Sequence, residues 1–109
     1  MGAMPAPTNP KKQSLMPSGP LRARLRGAGH ALAANVQVGH EGASPGVMKQ
    51  IAQALSDHEL IKIKLGSECP QSRFEIADLL AAEPGTSVAQ ILGRTLLVYK
   101  RNAERAQYE

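Results

Sequence analysis

The sequence predicts an α/β fold: one mixed four-stranded sheet with helices packed against it, in the order α-β-α-β-α-β-β. Three observations point there. The stretch "LIKIKL" at residues 60–65 alternates between apolar residues and lysine, the period of a strand with one buried face. Two helical patterns are each entered by a serine: Ser44 stands before Pro45, and Ser72 stands three residues before Glu75. Two apolar runs flank Gly93-Arg94, a pair suited to a two-residue hairpin turn.

The elements follow in order. Residues 1–20 hold Pro5, Pro7, Pro10, Pro17 and Pro20 among small and basic residues, and are expected to form a flexible basic tail. Leu21, Leu25, Ala28 and Leu32 recur at helical spacing, predicting a helix over 21–34. Arg22 and Arg26, four apart, share a face away from that stripe, with Arg24 nearby. A short strand is expected at 35–38. A helix capped by Ser44 should bury Val47, Met48, Ile51, Ala52 and Leu55, leaving Lys49, Gln50 and Gln53 outside. In the strand at 60–65, Ile61, Ile63 and Leu65 point inward. Lys62 and Lys64 point outward, which implies a sheet with one open face. A third helix, over 71–82, should place Phe74, Ala77, Leu80 and Ala81 in the core and stop at Pro84-Gly85. The hairpin joins strands at 88–92 and 95–100. The folded unit is thus expected over 21–101, with a polar extension at 102–109.

The chain has 109 residues, 42% of them hydrophobic, enough for one small domain. No apolar run approaches the roughly 18 residues of a membrane span, and with no charged stretch followed by an apolar one at the start, a secretory signal is not expected. The single cysteine, Cys69, cannot pair internally, so a reducing cytoplasm is the expected setting. Net charge is +4, unevenly placed. Residues 1–40 carry Lys11, Lys12, Arg22, Arg24 and Arg26 and no acid, whereas the remainder is close to neutral. A basic leading segment on a neutral body suits a polyanionic partner.

No catalytic constellation is legible. "GHEGASPG" lacks the Gly-Lys-Ser/Thr of a phosphate-binding P-loop and the spacing of a dinucleotide site. His30, His40 and His58 stand apart, and with one cysteine they give no metal spacing. His58-Glu59 suits a solvated or capping role at a helix-to-strand turn. The chain is therefore expected to be no enzyme and to need no cofactor or metal.

The loop Gly39-His40-Glu41-Gly42 is different. It follows a strand and feeds a capped helix, so backbone N–H groups and the helix dipole face outward there. Without side chains at Gly39 and Gly42, a phosphodiester can approach the backbone closely, as in the GXXG loop of KH domains. The plainer alternative is that these glycines only turn the chain. Arg22, Arg26, Lys49, Lys62 and Lys64 could join the loop in one basic surface. Phe74, Tyr99 and Tyr108 are the only aromatics, and with Phe74 assigned to the core, binding should be led by the RNA backbone.

The run "LRGAGHALAANVQVGHEGASPGVMKQIAQALSDHELIKIKL", followed by "ILGRTLLVYKR", resembles the CRM domain (chloroplast RNA splicing and ribosome maturation), above all its stand-alone bacterial, YhbY-like members. The resemblance spans about residues 21–101. It implies a fold similar to the C-terminal domain of translation initiation factor 3, RNA binding, and a link to precursors of the large ribosomal subunit. Gly39-His40-Glu41-Gly42 matches the family's GxxG loop, Arg26 a basic position of the first helix, and Lys62 and Lys64 its basic strand. Two departures stand out. Ala33-Ala34 occupies the place of a frequent Lys-Pro, and Glu41 puts negative charge inside the loop, which a protonated His40 would partly offset. The expected partner is ribosomal RNA or a pre-large-subunit particle, bound by a monomer. The alternative is a protein-interaction module that docks on a ribosomal protein or assembly factor.

Overall fold

A computed structural model describes residues 19–102 and 108. Seven elements follow one another: α1 (Gly19–His30), β1 (Val36–Val38), α2 (Pro45–His58), β2 (Leu60–Leu65), α3 (Arg73–Ala81), β3 (Thr86–Leu92) and β4 (Thr95–Lys100). The strands form one sheet in the order β1-β2-β4-β3. β1 runs parallel to β2, while β2/β4 and β3/β4 are antiparallel, so the sheet is mixed. The sequence expectation of α-β-α-β-α-β-β is met.

The strict alternation of β2 sorts its side chains between two layers. Ile61, Ile63 and Leu65 join Val36, Val38, Val88, Leu96 and Val98 beneath α2 and α3, which add Ile51, Leu55, Ile76, Ala77 and Leu80. On the opposite face Leu60, Leu97, Tyr99 and Ala89 pack under Leu25 of α1. A register shift between Val88 and Gln90 lets Val88 and Ile91, three apart, serve the same layer.

That second layer corrects one expectation. The face on which Lys62 and Lys64 lie is open only in part: α1 covers Leu60, Ala89, Leu97 and Tyr99, while Gln37 and Lys64 toward the β1 edge stay exposed. The closest approach is at Gly29, where a Cβ would stand 2.8 Å from both Leu97 methyl carbons. Any larger residue there would have to push the buried Leu97 side chain aside.

Other corrections have local causes. α1 ends at His30, four residues early. Ala31 and Leu32 donate to the carbonyls of Ala28 and Gly29, tightening the last turn. The chain then straightens so that Asn35 can pair with Lys62. Its N–H donates to the Lys62 carbonyl (2.8 Å), and its Oδ1 accepts from the Lys62 N–H (3.1 Å). In α2, Ile51 and Leu55 are buried as expected and Val47 and Met48 pack beside them. Ala52 is exposed, rotated about 100° from Ile51, and Ala54 takes its place. In α3 the buried face is Ile76, Ala77 and Leu80, with Ala81 half-buried. Phe74 lies about 200° around the helix from Ile76 and is 46% exposed, not core. β3 starts at Thr86, two residues early, where Thr86 is in register with Lys100.

The boundaries also shift. Gly19 and Pro20 belong to α1, whose first turn tolerates a proline, and the rest of the expected tail lies outside the described residues. Of the C-terminal extension, Asn102 and Tyr108 are described, and neither is detached. The Asn102 N–H donates to Glu59 Oε2 (2.9 Å), and Tyr108 meets Tyr99 edge-on at 6.2 Å. Glu59 is buried, adopts a left-handed φ of 65° and donates its own N–H to the Leu55 carbonyl, so it caps α2 as the sequence suggested.

Candidate nucleic-acid interface

The glycine loop sits where the sequence placed it, at the C-terminal end of β1. Gly42 N–H donates to the Gly39 carbonyl (2.9 Å), closing a tight turn around the exposed His40 and Glu41. Gly42 is buried at φ 63°, and a Cβ there would run into the Gln71 side chain and lie 2.9 Å from Pro70 Cγ. Its need for glycine is thus conformational and steric at once. Ser44 caps α2, its Oγ accepting from the Val47 N–H (3.2 Å). Pro45 has no N–H to offer. Among the described residues, the amides of His40, Glu41 and Gly46 donate to no protein group.

A second strand-to-helix loop, residues 66–72, lies against the first. The Gly66 N–H donates to the Val38 carbonyl (2.8 Å), and Gln71 Oε1 accepts from the Ala43 N–H (3.0 Å). This neighbour also brings Glu68, whose Oε2 would lie 3.4 Å from a Cβ on Gly39. The glycine loop therefore carries one carboxylate within it, Glu41, and a second beside it. The sequence disclosed the first and not the second.

The basic residues divide between layers. Arg22 and Arg26 lie on α1, half-buried and exposed respectively. Lys62 and Lys64 lie on the α1 side of β2. Lys62 is half-buried and shares a hollow of about 130 Å³ with His30 of α1, and Lys64 is exposed in register with Gln37 of β1. Lys49 is exposed on α2, in the opposite layer, beside a groove of about 510 Å³ that also borders Asn35 and Asp57. The structure thus gathers Arg22, Arg26, Lys62 and Lys64 on one side and sets Lys49 apart, with the β1 edge and the glycine loop between them. Arg24 is engaged elsewhere, donating to the Tyr108 carbonyl (2.7 Å).

One region escaped the sequence reading. A cleft of about 360 Å³ opens between the 66–72 loop, the start of α3 and the hairpin turn, with Arg73, Phe74 and Arg94 on its walls. Arg73 Nη1 donates to the Gly93 carbonyl (3.3 Å), and its guanidinium lies over the Phe74 ring at 4.8 Å. The signal available in sequence was Ser72-Arg73-Phe74-Glu75 itself. A capped helix start fixes which residues occupy the first turn, and these point toward solvent.

Among the described residues no three His, Cys, Asp or Glu side chains are gathered to hold a metal ion, and no helix is long and apolar enough to cross a membrane. His30, His40 and His58 are exposed at three separate places, and Cys69 is a half-buried free thiol. Fold and site together define a small basic α/β binding module. Residues 18–100 match the model of the CRS1 / YhbY (CRM) domain, so the chain belongs to that family of non-catalytic, RNA-binding domains. Its relatives include "Probable RNA-binding protein YqeI" of Bacillus subtilis, 34% identical over 78% of this chain and 88% of that protein. "Probable RNA-binding protein PA4753" of Pseudomonas aeruginosa is 34% identical over 72% of this chain and 76% of its own length. The solution structure of SAV1595 from Staphylococcus aureus superposes with a TM-score of 0.72 at 26% identity, covering 86% of this chain and 98% of that one.

Proposed function

We propose that this chain is an RNA-binding module that acts on ribosomal RNA or on precursors of the large ribosomal subunit, as a cytoplasmic monomer. One observation carries the reading. α1 and all four strands contain no Asp or Glu, and α1 with the face it covers holds Arg22, Arg24, Arg26, Lys62 and Lys64. The described acids lie in α2, in α3 and in the loops. Such segregation gives one layer a positive field that attracts phosphate over a distance and guides approach. Arg22, Arg26, Lys62 and Lys64 supply the phosphate contacts of that layer. The open amides of the glycine loop and Lys49 of α2 continue the path around the β1 edge. The names of the relatives and the family's RNA binding support the RNA partner, and the resemblance to YhbY-like members supports the large subunit.

The test is binding of the purified protein to large-subunit ribosomal RNA fragments across a salt series. Log K should fall by about 0.7 for each phosphate contact per log unit of salt. Charge reversal at Arg26 and Lys64, both exposed, should weaken binding and flatten that slope. A salt-independent affinity, or variants that bind as well as the parent, would remove the acid-free layer as the site. Retention on pre-ribosomal particles without affinity for naked RNA would favour docking on a ribosomal protein or assembly factor.

A further inference from the structure

The glycine loop offers backbone amides but is flanked by Glu41 and Glu68. The cations it lacks stand next door. The cleft beside it shares a wall with the loop, since Gly66 is bonded to Val38 and the Gln71 side chain fills the space against Gly42. The cleft has the size of a small-ligand site, about 360 Å³. Its walls carry a planar apolar surface, Phe74, and two guanidinium groups, Arg73 and Arg94.

Phe74 is the part that a purely structural account leaves without a purpose. The Phe74 ring sits on the first turn of α3 with 46% of its residue surface open to solvent. It is held nonetheless. Arg73 lies over the ring at 4.8 Å, and its hydrogen bond to the Gly93 carbonyl ties α3 to the hairpin turn. The capping box fixes the helix start, with Ser72 Oγ accepting from the Glu75 N–H and Glu75 Oε1 accepting from the Ser72 N–H. Glu75 is thereby turned back onto the cap. Arg94 is exposed at the turn, and its carbonyl is fixed by the Leu65 N–H (2.8 Å). The result is a held aromatic platform under the Arg73 guanidinium, with Arg94 on the wall of the same cleft, a combination that suits an unpaired base and its phosphate.

We propose that this cleft is a nucleotide subsite: an unpaired RNA base stacks on the Phe74–Arg73 platform while Arg94 takes the adjoining phosphate. The inference rests on the RNA-binding reading and extends it from backbone contact to a preference for single-stranded segments. A strand that leaves the cleft past Gly66 must pass the Glu68 carboxylate, which lies against both Gly66 and Gly39, before it meets the glycine loop.

The protein contains no tryptophan, which makes a clean reporter available. Phe74→Trp places one indole on the platform. A short single-stranded oligoribonucleotide of mixed sequence should quench its fluorescence, and a fully paired RNA duplex should not. In parallel, Phe74→Ala should weaken binding of the single-stranded probe by about tenfold. Its affinity for the duplex should be unchanged. Arg94→Gln should lower the salt slope for the single strand by about 0.7. Because Phe74 and Arg94 are exposed, these variants are expected to fold, and matching circular dichroism and melting curves verify it. If the parent protein binds the single strand but Phe74→Ala and Arg94→Gln bind it equally well, and the indole is not quenched, the subsite is wrong and the broader RNA reading stands. If the parent binds neither probe, both are wrong.

Discussion

The two strand-to-helix loops invite comparison because they are built alike and lie side by side. Each opens with a glycine after a buried strand residue: Gly39 follows Val38, and Gly66 follows Leu65. Each ends on a serine N-cap of nearly the same geometry, φ −68° and ψ 163° at Ser44 against φ −73° and ψ 164° at Ser72. Beyond the cap they diverge. α2 begins Pro45-Gly46, which gives smooth backbone and a free amide. α3 begins Arg73-Phe74, which gives side chains. The loop advertised by its glycines is a matter of backbone shape, whereas its unadvertised neighbour provides the cation and the ring. A ligand that crosses both would be gripped by amides in one and by side chains in the other.

The comparison can be broken most forcefully at the glycines. Gly42→Ala should destabilise the fold by about 1–3 kcal/mol through its left-handed backbone alone, before any displacement of Gln71. Gly39→Ala meets only Glu68 Oε2 at 3.4 Å and should cost less than about 1 kcal/mol. Urea denaturation compares them, and equal losses would mean that both glycines serve only to turn the chain. Gly39→Asp is accordingly a better probe of phosphate contact than any change at Gly42, where folding and binding are entangled.

The caps come next. Ser44→Ala should cost about 1 kcal/mol, the usual loss of an N-cap. Ser72→Ala should cost somewhat more, since it also slackens the return bond from Glu75. Chemical denaturation of the two variants decides the order. If Ser44→Ala is the more damaging, the start of α3 is not the firmer of the two platforms.

The smallest effect is electrostatic. Glu41→Gln combined with Glu68→Gln should tighten RNA binding a few-fold at low salt, with the gain fading as the Debye length contracts to about 8 Å near physiological ionic strength. Binding titrations at two salt concentrations are sufficient. Unchanged affinity at low salt would place the phosphate away from the glycine loop.

Local chemistry made much of this molecule legible. β2 falls on residues 60–65 because alternation has only one reading there, and both serine caps and the Gly93-Arg94 turn are set by neighbours within a few residues. The resemblance to the CRM family rests on the first helix, the glycine loop, the run into β2 and the Gly93-Arg94 turn, with the Ser72 cap outside it. Phe74 shows where local reading failed. Its hydrophobicity argued for the core, but Ile76, Ala77 and Leu80 already fill the face that α3 turns to the sheet. The open sheet face held only near Gln37 and Lys64 for a related reason, since nothing within β2 reveals that α1 returns to cover Leu60, Leu97 and Tyr99.

The sequence alone, then, determined the order of elements, their caps and turns, and the family, because each depends on contacts a few residues apart. Tertiary structure alone brought Glu68 to Gly39 and fitted Gln71 against Gly42 and Ala43, the latter by a hydrogen bond across 28 residues. It also assembled Arg73, Phe74 and Arg94 around one cleft. Those placements depend on which strand ends become neighbours in the sheet. The packing of both layers sets that, and no single segment encodes it.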